Sequence, residues 1–291
     1  MGAQMNVAGS AAPTALSTIR RGFVDLDDGQ VHFREAGERS DHCLVVLHPS
    51  PGSSLMMKWF IAEMGRHCWT VGLDTRGNGD SDPLPAGSEI PDFAASVWRT
   101  LDALGVKSCD LLGSHTGAGI AVETSLIRPQ SVAHLVIDNL GLWSPERQKA
   151  QIAFNSPSVE PDQIGSQFNW AWHYVRDQQI FSPWYRRTAA CRRSIDLPSA
   201  EFLHEMTVEV LKALGTYNIS YSAAARFDKR ARLPLITVPT LVTSCDTDPL
   251  RAYCDEVVSL VPGARYRDAG CLEEAEGAAA AARVVSEFLG V

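Results

Sequence analysis

A histidine lies between two glycines where a strand-like apolar run gives way to a helix-like run. Residues 111–118 read LLGSHTGA, and GIAV follows them with helical character. A sharp turn between a strand and a helix holds its tip residue in a strained conformation, so small neighbours are needed on both sides. Gly113 and Gly117 supply these neighbours, and His115 is the residue at the tip. An imidazole in this place could act as a general base or as a nucleophile.

Alternating strands and helices are predicted around this turn. Two short alternating runs, residues 22–28 and 30–36, meet at a D-G pair that indicates a hairpin. Five further runs, mostly apolar, predict central strands buried on both faces. These runs cover residues 43–47, 69–73, 108–112, 133–138 and 240–244. Because helical segments separate the strands, we predict an α/β fold with a doubly wound, mostly parallel sheet.

Three further segments occur in order with the turn at residues 113–117. Residues 48–54 (HPSPGSS) resemble an H-G-x-P-G oxyanion loop, and residues 74–82 (DTRGNGDSD) resemble a D-x-R-G-x-G-x-S turn. Residues 243–250 (TSCDTDPL) resemble a late G-x-x-D-x-L/V acid loop. With these motifs the sequence resembles the α/β-hydrolase fold superfamily over residues 22–290, and the turn resembles the nucleophile elbow of that superfamily.

This resemblance implies a core domain with an inserted helical cap. We expect an α/β-hydrolase core at residues 19–140 and 235–291, and a cap at residues 141–234, where aromatic residues are frequent. Residues 1–18, rich in small residues, are predicted to form a flexible tail. They lack a charged segment followed by an apolar stretch, so we expect no signal peptide.

The resemblance also places two residues of a catalytic triad and leaves out the third. In that superfamily a serine attacks an acyl carbon, a late histidine takes its proton and an acid orients the histidine. His115 falls at the nucleophile position and Asp248 at the acid position, with Asp138 as the alternative acid. The late histidine is missing: no histidine lies beyond His204, and the G-H-x-x-x-L-E-E-type ending reads GCLEE at residues 270–274. A triad of the usual layout therefore cannot form.

The imidazole of His115 is long enough to reach into the space of the missing histidine. There Asp248 could accept a hydrogen bond from one ring nitrogen, and the other nitrogen would face the pocket as a base with a near-neutral pKa. The attacking group could be water, a substrate hydroxyl, or His115 itself through an acyl-imidazole. Thr116 is the alternative tip residue, although it fits the strand end less well. A purely structural role for His115 also stays open.

The resemblance further implies an oxyanion site and a pocket. Backbone N–H groups of Thr116 and Ser50 are the expected donors, since the following proline has no N–H. Residues expected to line the pocket are His48, Trp143, Trp172, His173 and Cys271, with an anchoring role as the alternative for His48. A roof rich in tryptophan favours an apolar or aromatic substrate. The sequence has no metal-ligand spacing and no phosphate-binding glycine loop, so we expect no metal and no cofactor.

Composition narrows the class of partner. The chain has 291 residues and a formal net charge of −8, which disfavours nucleic acid and anionic membranes as partners. No apolar run reaches the roughly 18 residues of a membrane span. Seven cysteines without C-x-x-C spacing indicate reduced thiols in the cytoplasm. We expect a small-molecule substrate as the partner, and a homodimer is left open.

Three functions fit these features. The leading one is a hydrolase of the esterase or lactonase type, acting on a small apolar or aromatic ester, lactone or activated carbonyl compound. In it, His115 is the base or nucleophile and Asp248 assists. The second is a lyase, isomerase or cyclase that needs only a base and an oxyanion site. The third is a ligand-binding protein that has lost its chemistry along with the late histidine.

Overall fold

The computed structural model describes residues 16–291. The tail predicted for residues 1–18 lies outside the described residues except for its last three positions, which form neither helix nor strand. Among the helices of the described chain, none combines the length and the apolar character needed to cross a membrane.

Eight strands form a sheet in the order β1-β2-β4-β3-β5-β6-β7-β8. Their bounds are β1 Arg20–Leu26, β2 Gly29–Ala36, β3 His42–Leu47, β4 Thr70–Leu73, β5 Ser108–Ser114, β6 Val132–Asp138, β7 Thr240–Ser244 and β8 Arg265–Asp268. β1 and β2 form the predicted hairpin, and β2 also pairs antiparallel with β4. All other neighbouring strands are parallel. The predicted α/β fold with a mostly parallel sheet is therefore confirmed.

Ten α-helices lie between and after the strands in the described part of the chain. Their bounds are α1 Lys58–Met64, α2 Ile90–Ala103, α3 Thr116–Ile127, α4 Pro145–Asn155, α5 Ser166–Ile180, α6 Ala200–Lys212, α7 Tyr217–Arg226, α8 Lys229–Arg232, α9 Cys254–Leu260 and α10 Ala275–Leu289. Local sequence explains several helix starts. Ser144 and Ser199 accept hydrogen bonds from the first turns of α4 and α6, as N-cap serines do.

Two hydrophobic layers cover the two faces of the sheet. Successive residues of a strand point to opposite faces, so on β3 Val45 and Leu47 join one layer while Leu44 and Val46 join the other. Helices α2 and α3 contribute to the first layer, and α1 and α10 contribute to the second. Each fully buried large apolar side chain contributes about 1.5–3 kcal/mol. This packing holds the carboxyl ends of β3, β5, β6 and β7 at one edge, where loops of α/β sheets form binding sites.

Between β6 and β7 the chain forms a helical segment, α4 to α8. Within residues 16–291, its β-structure is limited to an isolated bridge between Phe181 and Arg192. The segment has its own apolar cluster, which packs against Met56 of the core. That cluster consists of Ala171, Tyr174, Val175, Leu203, Met206 and Val210. The segment occupies the region predicted as a cap, and its action as a cap stays a prediction.

Candidate active site

His115 is the single residue between β5 and α3. Its backbone has φ 53° and ψ −110°, a conformation that residues other than glycine rarely adopt. A Cβ atom at Gly113 would collide with the backbone of Gly117, and one at Gly117 would collide with the Leu47 carbonyl. These close approaches explain why both flanking residues are glycines. The turn therefore holds the imidazole above the carboxyl edge of the sheet.

Both ring nitrogens of His115 have hydrogen-bond partners. Nε2 lies 3.0 Å from Oδ2 of Asp248, and Nδ1 lies 3.0 Å from Oγ of Ser114. The Ser114 hydroxyl donates to Oδ2 of Asp138 at 2.7 Å, so its oxygen is left to accept from Nδ1–H. A doubly protonated ring, an imidazolium, satisfies both contacts.

The pKa of His115 agrees with this positive charge. Burial lowers the pKa, but the charge of Asp248 and its hydrogen bond to the ring outweigh burial and raise it to about 9. In return, His115 lowers the pKa of Asp248 although burial alone would raise it. The expected imidazole with a near-neutral pKa and one nitrogen facing the pocket is therefore wrong. Asp248 raises the pKa, and Ser114 contacts the nitrogen that was expected to face the pocket.

Asp138, the alternative acid position, lies fully buried at the end of β6. Besides Ser114, its carboxylate accepts from Oγ1 of Thr243 at 2.9 Å and from Nδ2 of Asn139 at 3.0 Å. Burial raises the pKa of Asp138 to about 6, although these hydrogen bonds oppose the rise. Asp138 is connected to His115 by hydrogen bonds through Ser114, whereas Asp248 is the direct carboxylate partner.

Arg193 connects the helical segment to the acid loop. Its guanidinium donates to the Gln178 carbonyl at 2.7 Å and to the Thr247 carbonyl at 3.0 Å. Its charge also contributes to the lowered pKa of Asp248. Nothing in the local sequence distinguishes this arginine from its neighbour Arg192, so sequence reasoning missed it.

The acid loop and the loop after β8 are covalently joined. Cys271 forms a disulfide bond with Cys245, and their Cα atoms are 5.1 Å apart. The expectation that all seven cysteines are reduced is therefore wrong, because packing brings this pair together across a sequence separation of 26 residues. The other five cysteines are free. The expected cytoplasmic location loses the observation on which it rested, since disulfides are rare in that compartment.

Glu273 brings a second carboxyl group to the site. It lies two residues after Cys271 and lines the same cavity as His115. Burial raises the pKa of Glu273 to about 7, although the positive charge of His115 opposes the rise. A carboxyl with this pKa can take up or release a proton near neutral pH. The GCLEE segment contained this glutamate, but only the packed loop shows that it faces the cavity.

Hydrogen bonds on the side away from the cavity hold the loop after β3 in place. His48 is fully buried: its Nδ1–H donates to the Pro49 carbonyl at 2.5 Å, and its Nε2 accepts from the N–H of Thr75 at 2.9 Å. Burial lowers the pKa of His48, which keeps it neutral. The Ser50 hydroxyl donates to Oδ1 of Asn78 at 2.9 Å. His48 is therefore an anchor of this loop.

Two backbone N–H groups near the elbow lack acceptors. Thr116 is the first residue of α3, and Ser50 belongs to the loop after β3. Neither N–H has a hydrogen-bond partner in the part of the chain that the structure describes, and both residues line the cavity. The N-terminus of α3 adds a positive partial charge. These groups are the donors predicted for an oxyanion site, and that role stays a prediction.

A cavity of about 320 Å³ lies beside these groups. Its wall combines the elbow, the acid loop and the GCLEE loop with apolar and aromatic residues of the helical segment. Those residues include Tyr174, Val175, Phe181, Trp184, Phe202, Met206, Val210 and Tyr221. Two cations, Arg147 and Lys229, also line the cavity and were missed by sequence reasoning.

Two of the five residues predicted to line the pocket do so. Trp143 and Cys271 lie in the cavity wall, whereas His48, Trp172 and His173 do not. His48 is buried behind its loop, and Trp172 is 37% exposed on the outer side of α5. His173 faces Asp177 in the same helix, with Nδ1 and Oδ2 3.7 Å apart. Sequence spacing did not show which side of α5 faces inward.

Comparisons with known proteins agree with this architecture. Residues 43–182 match the alpha/beta hydrolase fold family. Polyketide synthase ThaQ from Burkholderia thailandensis is 32% identical over 197 residues, which is 65% of this chain and 9% of that protein. Epoxide hydrolase 4 from Mus musculus is 31% identical over 122 residues, which is 40% of this chain and 34% of that protein. This chain thus spans less than two thirds of the length of these curated relatives.

A solved structure extends the likeness over nearly the whole chain. The enol-lactonase from Burkholderia xenovorans superposes with a TM-score of 0.72 at 19% identity, covering 93% of this chain and 100% of that one. At this identity the likeness concerns the fold. Together with the match over residues 43–182, it shows that this chain has the α/β-hydrolase fold.

Proposed function

We propose that this chain is a hydrolase of the esterase or lactonase type, acting on a small ester, lactone or activated carbonyl compound. The observation that carries the proposal is the His115–Asp248 pair, 3.0 Å apart, on the wall of a cavity of about 320 Å³. A concave, partly apolar site with a few polar groups suits a small molecule. The aromatic walls favour an apolar or aromatic substituent. Two of the similar proteins, the enol-lactonase and the epoxide hydrolase, are hydrolases by name.

Water is the attacking group in the proposed reaction, because the hydrogen bonds of His115 occupy both of its ring nitrogens. The carboxylate of Glu273 takes a proton from water as the water oxygen bonds to the carbonyl carbon. The carbonyl electron pair moves to oxygen and gives a tetrahedral oxyanion. When the carbonyl reforms, the bond to the leaving oxygen breaks and that oxygen takes the proton from Glu273. An ester gives a carboxylic acid and an alcohol, and a lactone gives a hydroxy acid.

The oxyanion is stabilised by the positive groups around the elbow. These are the N–H groups of Thr116 and Ser50, the N-terminus of α3 and the imidazolium of His115. Each preorganised N–H donor contributes roughly 10²- to 10³-fold to the rate, and the imidazolium acts through its charge. Asp248 supports this role by keeping the proton on His115. The helical segment acts as a cap that excludes bulk water, and Arg193 ties it to the acid loop.

A panel of small esters and lactones, followed by release of acid, tests the proposal. The wild-type chain should turn over at least one member, and His115→Gln should be slower by roughly 100-fold, because glutamine keeps the side chain polar but removes the charge. His134→Gln is the matched control: His134 lies near the start of β6 and pairs with Asp110. Absence of turnover across the panel, or an unchanged rate in His115→Gln, would contradict the proposal.

Proton abstraction next to a carbonyl is the second candidate, and one observation favours it. Glu273 supplies a base, while the elbow residue has no free nucleophilic atom. A lyase or isomerase needs only this base and an oxyanion site. Turnover in ¹⁸O-labelled water separates the two reactions. Hydrolysis places one solvent oxygen in the product acid, whereas isomerisation or elimination within the substrate does not.

A further inference from the structure

Lys229 is a buried cation on the cavity wall, at the start of α8. Its side chain lines the cavity, and the residue is only 9% exposed. Nζ donates to the Ala224 carbonyl at 2.5 Å and lies 5.6 Å from the centre of the Trp143 ring. It has no salt-bridge partner among residues 16–291. Two of its three protons are therefore available to another acceptor.

Burial of an unpaired ammonium is costly, so it disfavours the charged form of Lys229. Burial, followed by the nearby charge of Arg230, lowers the pKa of Lys229 to about 8. Other buried charges of the chain have partners. Glu123, for example, accepts two hydrogen bonds from Arg232, at 2.9 and 2.8 Å. A buried cation that has no carboxylate partner within the protein can pair with the anionic group of a ligand.

Arg147 lines the same cavity from the first turn of α4. No carboxylate within the described chain forms a salt bridge with it. Gln148 donates to the Ala225 carbonyl and so holds this turn of α4 against the end of α7. The charge of Arg147 also acts on Tyr221, where it opposes the rise in pKa that burial causes. Tyr221 lies one turn before the Ala224 carbonyl that Lys229 contacts.

Lys229 thus contacts α7 at Ala224, and the neighbour of Arg147, Gln148, contacts α7 at Ala225. The carboxyl groups of the cavity lie on other loops: Asp248 follows β7, and Glu273 and Glu274 follow β8. Asp248 is already paired with His115, so it does not neutralise the two cations. Lys229 and Arg147 thus form a positive wall of the cavity that no carboxylate of residues 16–291 pairs with in a salt bridge.

We propose that the cavity binds a substrate with a carboxylate group, which Lys229 and Arg147 hold at this positive wall. The rest of the ligand then extends toward the elbow. This inference adds a substrate class to the proposed function. It rests on the proposed function only for which chemical group of the substrate reacts. A carboxylate suits both partners, since it can accept from the ammonium and from the guanidinium together.

Binding of phenylacetate and of its neutral isostere phenylacetamide tests this inference. Tryptophan fluorescence is the readout, because Trp143 lies beside Lys229. The wild-type chain should prefer phenylacetate by about 10- to 100-fold in Kd. Lys229→Met should remove most of that preference, and Arg147→Met should reduce it. Lys149→Met is the matched control: Lys149 is exposed on the same helix as Arg147, and it should leave the preference unchanged.

Equal affinity of the wild-type chain for the acid and the amide would overturn the inference, and so would a preference that survives in Lys229→Met. Thermal unfolding shows whether that variant is folded, and the exposed Arg147 gives a second variant if it is not. Phenylacetate has no ester bond. A chain that prefers the acid but hydrolyses nothing would therefore remove the proposed function and keep this inference. A hydrolase without the preference would do the reverse.

Discussion

At the scale of single residues, the charge of His115 depends on its surroundings. The N-terminus of α3 opposes a cation at this position, by about 0.3–1 kcal/mol at exposed sites. Asp248 outweighs that effect through a direct hydrogen bond in a partly buried site. Ser114 then accepts a hydrogen bond from the second ring nitrogen and donates one to Asp138. In the proposed function, His115 therefore carries a positive charge below its pKa of about 9.

Replacing Asp248 by asparagine should remove that charge. Asp248→Asn keeps the shape of the side chain, but it lowers the pKa of His115 and should slow turnover by roughly 100-fold. The rate on the best substrate, measured against pH, checks both effects. Asp246→Asn, an exposed position in the same loop, is the control. A variant with the wild-type rate and the wild-type pH profile would rule out a role for the pair.

The pH dependence of turnover follows from two groups. Glu273 acts as a base when ionised, so the rate should rise as pH passes its pKa of about 7. His115 acts as a cation, so the rate should fall as pH passes its pKa of about 9. Glu273→Gln should lose the lower limb and be slower by roughly 10²- to 10⁴-fold. Glu276→Gln, which is exposed in α10, should behave as wild type. A rate that keeps rising above about pH 9 is incompatible with a catalytic imidazolium.

At the scale of elements, the acid loop and the GCLEE loop form one unit. The disulfide between Cys245 and Cys271 joins them, and Arg193 joins the acid loop to the helical segment. Asp248 and Glu273 lie three and two residues from the bridged cysteines. The disulfide thus helps to fix the positions of both carboxyl groups relative to His115.

Removal of this link should be measurable in stability and in rate. A Cys245→Ser, Cys271→Ser double variant should lose about 2–4 kcal/mol in the free energy of unfolding, because the bridge restricts the unfolded chain. It should also turn over more slowly, since the two loops can then separate. Urea unfolding without reductant gives the first value. Cys191→Ser, at a free cysteine, is the control. Equal stability of double variant and wild type would mean that the bridge does not form in solution.

A histidine at the start of β3 gives the fold a second pH dependence. Nε2 of His42 lies 2.9 Å from Oδ2 of Asp110 on β5, and this hydrogen bond raises the pKa of His42. A raised pKa in the folded state stabilises the fold fully below the unfolded value of about 6.5, and the effect is lost as pH rises through the folded-state pKa. His42→Gln should therefore destabilise the chain more at pH about 6 than at pH about 9.

Urea unfolding at the two pH values tests this prediction. His67→Gln is the control, because His67 is exposed in the loop after α1. If His42→Gln has the same effect at both pH values, the His42–Asp110 contact does not contribute as a charged pair.

At the scale of the whole molecule, the sequence predicted the architecture better than the cavity. Strand periodicity and the D-G pair correctly indicated the hairpin and the parallel strands. The edge strand β8 (RYRD) was missed because its residues are mostly charged and exposed. Motif spacing placed His115 next to Asp248. Local spacing could not reveal that Lys229 and Arg147, far apart in the chain, line the same cavity.

Side-chain orientation was the other limit. Trp172 and His173 were predicted to line the pocket, but α5 turns their neighbours Tyr174 and Val175 inward instead. The sequence of a helix can show that one face is apolar, but it does not show what that face packs against. The protonation of His115 was missed for a similar reason. Ser114 belongs to the elbow motif as a variable position, and only the folded turn brings its hydroxyl to the ring.

Direct titration of the His115 ring by ¹⁵N NMR is the sharpest test, since a protonated and a neutral imidazole differ in the shifts of both nitrogens. The His115→Gln spectrum identifies its signals among those of the eight histidines. We predict two protonated nitrogens at pH about 7 and a pKa of about 9. A ring that is neutral at that pH, with one nitrogen unprotonated, would contradict the imidazolium elbow and return His115 to the role of base or nucleophile.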